Sequence, residues 1–119
     1  MLREYIQNIK GFISFFAPID ALAASSLIET AVREQDAGER LYVDLVREDH
    51  EEEGTGFEFQ ISGEVPCSIA SHAATRYQPA EDDVRGALDI EELKSTIRAL
   101  LRAYDLDFLS FKEEFEAAY

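Results

Sequence analysis

A chain of 119 residues, 46% of them apolar and 11% aromatic, has the size of one domain and material for one hydrophobic core. Its 25 acidic and 11 basic side chains leave a formal charge of −14, which argues against direct binding to nucleic acid or an anionic membrane, both of which need a basic surface. Cys67 is the one cysteine, so no disulfide can form within the chain, and the N-terminal apolar stretch, broken by Gln7, Asn8 and Lys10 with Glu4 ahead of it, resembles neither a signal peptide nor a membrane span. A cytoplasmic protein is expected.

Residues 2–16 place Leu2, Ile6, Ile9, Ile13 and Phe16 at spacings of three and four, the period of an amphipathic helix. Gly11 weakens that pattern, and residues 12–17 also suit a short strand. Pro18 ends the element. Asp20 is placed to cap a second helix over 20–35, with Ile19, Leu22, Ala23, Leu27, Ala31 and Val32 as its apolar stripe and Gly38 as its stop.

Two strands follow. Residues 40–47 set Leu41, Val43 and Leu45 on one face; residues 57–65 alternate more strictly, with Phe57, Phe59, Ile61 and Val65 inward and Glu58, Gln60, Ser62 and Glu64 outward. They are expected to pair across a loop over 48–56. Two strands alone make a marginal sheet, so a third is expected from the N-terminus, from residues 66–74, or from a second copy of the chain. Residues 66–88 have no clear period and contain Pro79 and Gly86, as binding loops do.

Asp89 and Glu92 form a capping-box start for a helix over 89–104, whose apolar face holds Ile90, Leu93, Ile97, Leu100, Leu101 and Tyr104. Lys94, Arg98 and Arg102 line its other side. Ser110 and Glu113 repeat the capping pattern, and Phe111, Phe115 and Tyr119 fit one side of a last helix over 110–118. The expected fold is therefore α+β in a single domain over 1–119: a small antiparallel sheet, with strands near 40–47 and 57–65, packed against about four helices.

Candidate chemistry is sparse. Cys67 and His72 could make a thiolate–imidazole pair, but no third group orients them, and a lone cysteine after a strand reads as a small buried apolar residue. Asp49, Glu51, Glu53 and Gly54 imitate the start of a calcium loop, yet Gln60 stands where the bidentate glutamate belongs and a strand follows instead of a helix. Asp82 and Asp83 resemble an acid pair, but a run such as Glu81-Asp82-Asp83 reads as a solvated turn. No catalytic residue, metal site or cofactor site is assigned, and the protein is read as a non-enzyme. The cations at Lys94, Arg98 and Arg102 read as partners for Glu91 or the acidic loops.

The acidity is concentrated. Residues 48–92 hold 13 acidic side chains against Arg76 and Arg85, which predicts a surface of focused negative potential. The partner-binding candidates are Glu48, Asp49, Glu51, Glu52, Glu53, Glu81, Asp82 and Asp83. They suit a basic protein surface, such as that of a nucleic-acid-binding protein whose site would be occluded. The competing reading gives the acidity to solubility and the function to apolar contacts, in a homodimer or with a partner.

The stretch from the alternating strand through Ala74-Thr-Arg-Tyr77-Gln-Pro79-Ala-Glu81 resembles a segment of small uncharacterised phage and prophage proteins, on Tyr77, Pro79, Ala80 and Glu81. The likeness covers about a quarter of the chain. It implies an origin in a mobile element, where small acidic proteins serve as inhibitors of host nucleases or as accessory factors.

Overall fold

Pro18 closes the first element and Asp20 opens the second by accepting a hydrogen bond from the Ala23 amide at 2.8 Å. From there the order is β1 (Leu2–Ala17), α1 (Ala21–Glu34), β2 (Leu41–Glu51), β3 (Gly54–Ala70), β4 (Val84–Arg85), α2 (Ile90–Leu101) and β5 (Asp105–Ala117). These elements come from a computed structural model that describes residues 2–35, 40–70 and 84–118.

All strand pairs are antiparallel, and the sheet order is β2-β3-β1-β5, with the short β4 beside the end of β3. The connectivity is that of two interlocked split βαβ units, as in ferredoxin-like folds. In one, β1 and β2 run parallel with β3 between them; in the other, β3 and β5 do so with β1 between them. The 17 residues of β3 extend about 56 Å at ~3.3 Å each, which matches the 57 Å long axis of the molecule.

Both helices cover one face of the sheet. Ile9, Ile13, Phe15 and Ala17 of β1 and Phe57, Phe59, Ile61 and Val65 of β3 meet Ala24, Ile28, Ala31 and Val32 of α1 and Leu93, Ile97 and Leu101 of α2 in one buried cluster. Part of this cluster is a group of aromatic rings. Phe15 faces Phe57 across the strands, their ring centroids 5.5 Å apart, with Phe59 and Tyr104 at 6.0 and 6.3 Å from the Phe15 ring. No helix among the described residues is long and apolar enough to cross a membrane.

The expected small sheet under about four helices is overturned: the described residues are mostly sheet, in five strands and two helices. Residues 2–16 are a strand, and the N-terminus supplies the third strand that the sheet needed. The helical spacing arose because β1 lies between β3 and β5 and carries apolar residues on both faces, Ile9, Ile13 and Phe15 inward and Ile6, Phe12 and Phe16 outward. Superimposed, the two alternations imitate a period of three to four.

The expected helix over 110–118 is likewise strand: residues 110–117 are the end of β5. Phe111 and Phe115 face inward with Glu113 between them, and that polar residue on the inner face turns a two-residue alternation into a four-residue spacing. Ser110 and Glu113 form no cap. The glutamate instead accepts a hydrogen bond from Gln7 Nε2 at 2.6 Å.

The loop expected over 48–56 is also replaced by strand. The ladder continues until Glu51 pairs with Gly54, leaving a two-residue turn at Glu52 and Glu53. From the segment expected to be irregular, residues 66–70 extend β3. Pro66 falls where β2 has ended at Gly63 and β4 has not begun, so its missing N–H is tolerated on that side.

Candidate functional site

The far end of the β2–β3 hairpin gathers five of the predicted binding residues. Because the strands continue to the turn, side chains there alternate between faces. Arg47, Asp49 and Glu51 share the face that neither α1 nor α2 covers, hereafter the open face; Glu48 and His50 take the other; Glu52 and Glu53 form the turn. All five carboxylate residues are exposed.

Local pairing offsets little of that charge. Arg47 Nε lies 2.9 Å from Asp49 Oδ2, and His50 Nε2 lies 3.3 Å from Glu48 Oε1. Exposed pairs of this kind contribute roughly 0–1 kcal/mol each, and one arginine stands against five carboxylates. The hairpin end is thus a negative tip at one end of the long axis.

Other acidic positions do not join it. Glu81, Asp82 and Asp83 lie outside the described residues. Asp89, Glu91 and Glu92 open α2, where Asp89 Oδ1 accepts from the Glu92 amide at 3.1 Å. That helix start is tied to Gln7, which is level with Val65 of β3, eleven residues and roughly 37 Å along the strand from Gly54. The acids at 48–53 and 89–92 therefore form two separate patches.

Cys67 is buried on the inner face of β3, and burial pushes its thiol up; a backbone hydrogen bond from Gln7 pulls the other way, while the Glu113 charge adds to the rise. A thiol held protonated in this manner is a poor nucleophile. His72 and the Tyr77–Glu81 segment lie outside the described residues. Among those described, no three acidic, histidine or cysteine side chains are grouped so as to hold a metal, and Asp49, Glu51 and Glu53 follow a strand and its turn instead of wrapping a centre. Of the cations on α2, Lys94 Nζ pairs with Glu91 Oε1 at 3.2 Å, while Arg98 and Arg102 are exposed.

No family model, curated protein or solved structure matches this chain. Its connectivity alone assigns no activity, since one fold hosts many functions.

Two further features lie on the sheet. The first is an open cleft of about 800 Å³ between α2, β1 and β5, where Gln7, Lys94, Phe111 and Glu113 meet. Gln7 is fully buried there: its Nε2 donates to Leu88 O at 3.0 Å and to Glu113, and its Oε1 accepts from the Leu88 amide at 2.8 Å. That amide clamps the entry of α2 to the sheet, which is a structural task.

The second is the open face itself. Phe12 and Phe16 of β1, Tyr42 of β2 and Phe108 of β5 lie on it, with Tyr42 69% and Phe108 54% exposed. Lys10 Nζ sits 5.7 Å from the centre of the Phe12 ring, within cation–π range. The signal was present in the even-numbered positions of β1, hidden by the odd ones.

Proposed function

We propose that the protein is a non-enzymatic binding domain that engages a basic protein surface with the carboxylate tip of its β2–β3 hairpin. The observation that carries this reading is the tip: Glu48, Asp49 and Glu51 on the paired strands and Glu52 and Glu53 in the turn are all exposed, with one arginine among them. A ladder presents charge without the ordering cost of a loop, and a focused negative potential speeds encounter with a cationic partner. In its sharper form, the partner is a nucleic-acid-binding protein whose site the tip occludes, an inhibitor role in keeping with the phage-like segment. Glu81, Asp82 and Asp83 belong to the same proposal by sequence alone.

The test is capture from the native host with the wild-type chain and with Glu51→Lys/Glu52→Lys/Glu53→Lys. A basic partner retained at about 50 mM salt and released at about 500 mM, where screening shortens to a few ångströms, supports the reading if the triple variant loses it. Capture that ignores both salt and charge reversal would overturn it. The exposed aromatics of the open face favour a second reading, an accessory protein acting through apolar contacts. A salt-indifferent complex lost on Phe12→Ser/Phe108→Ser would select that one.

A further inference from the structure

Among the described residues, β5 pairs with β1 on one side and has no strand on the other. From Phe108 to Ala117 its register with β1 runs without a shift, and the stretch holds neither proline nor glycine. An edge this regular is a template for another strand. The opposite edge differs: β2 is broken by a bulge at Val46 and ends in the carboxylate tip.

The charges along β5 are arranged to match their own reverse. We propose that two copies of the protein pair through β5, antiparallel about a two-fold axis at Glu113, to form one continuous sheet with α1 and α2 of both copies on one side. An axis normal to the sheet keeps every residue on its face. Placed at Glu113, it sets Lys112 opposite the partner's Glu114 and Glu114 opposite the partner's Lys112, both on the open face. On the helix face it sets Phe111 opposite the partner's Phe115, twice. The axis at Glu113 also brings the two Glu113 face to face, each carboxylate held back over its own β1 by Gln7. Neighbouring registers oppose like charges or set charge against an aromatic without that relief: an axis at Lys112 opposes the two lysines and sets Glu113 against Phe111, one at Phe111 sets Glu114 against Phe108, and one at Glu114 pairs Lys112 with Glu116 but opposes the two Glu114 and sets Glu113 against Phe115.

Three details of the single chain agree with this register. Gln7 Nε2 on β1 draws the Glu113 carboxylate back at 2.6 Å, and Asn8 Nδ2 holds Glu116 at 3.0 Å, so both acids lean away from the free edge. No other described residue forms an ion pair with Lys112 or Glu114. Within the chain Lys112 stands directly opposite Lys10 of β1, a like-charge pair that a partner's carboxylate relieves. The inference stands apart from the hairpin reading, whose carboxylates lie at the opposite edge of the sheet.

The mass in solution, measured by sedimentation equilibrium over a range of concentrations, tests the proposal. The wild type is expected to rise from 13.4 kDa toward twice that value. Lys112→Glu and Glu114→Lys should each weaken the dimer at least tenfold, and the double variant should restore it. Glu113→Cys, on the axis, should oxidise to a cross-linked dimer, because facing Cα atoms ~4.5–5.5 Å apart are within disulfide reach. A wild type that stays at 13.4 kDa throughout would overturn the proposal. So would a dimer indifferent to both charge reversals, which would place its contact elsewhere. Circular dichroism of each variant separates loss of pairing from loss of fold.

Discussion

Gln7 shows how one polar residue in a core is made tolerable. Its amide is fully buried, yet each of its polar atoms is spent, on both backbone groups of Leu88 and on the Glu113 carboxylate. Gln7→Met keeps the shape but leaves the Leu88 N–H and C=O without partners. It should lower stability by roughly 2–4 kcal/mol in urea unfolding, since each orphaned buried group costs about 1–3 kcal/mol. A loss under ~0.5 kcal/mol would mean that water replaces the amide. Cys67 sits close by with its thiol pushed up, so this corner of the sheet is built for packing and hydrogen bonding.

At the scale of elements, the helix termini were legible and the outer strands were not. The acceptor side chains of Asp20 and Asp89 lie where local chemistry requires them, and both cap their helices. Capping depends on a few adjacent residues, so it survives any tertiary arrangement. The strands β1 and β5 depend on what lies across from them. Gly11 is the clearest case: it pairs with Phe111, and a Cβ at that position would overlap the Phe111 ring. In a helix reading Gly11 is a weakness; in the sheet it is the seat of an aromatic from the next strand. Gly11→Ala should cost about 1–3 kcal/mol by overpacking. Combined with Phe111→Ala it should cost clearly less than the sum of the two single losses, and strict additivity would show that the ring does not rest there.

For the molecule as a whole, charge and shape act together. A formal charge of −14 on a narrow body 57 Å long repels itself, most strongly at the hairpin tip. Added salt should therefore raise the thermal midpoint, by about 4 °C or more between low and moderate ionic strength, the shift that ~1 kcal/mol produces near this size. Glu51→Lys/Glu52→Lys/Glu53→Lys should shrink that dependence. A midpoint that falls with salt would show that attractive pairs outweigh the repulsion. The candidate site follows the same division: the five acids at 48–53 were visible as a run of like charge, whereas their place on a ladder, far from the acids at 89–92, depended on the register of β2 against β3.

By itself the sequence determined the properties that each segment carries alone: the acidity, the two capped helices, the strict alternation of Phe57 to Val65 and the bar to an internal disulfide. Only the tertiary structure decided that residues 2–17 and 105–117 are strands, that the hairpin continues to Glu51, and that α1 and α2 leave one sheet face uncovered. For β1 and β5 the physical reason is shared. A central strand with apolar residues on both faces, and an edge strand with one inward glutamate, lose the two-residue period that marks them. What restores the distinction is contact across the sheet, between residues such as Gly11 and Phe111 or Gln7 and Glu113, a hundred or more positions apart in the chain.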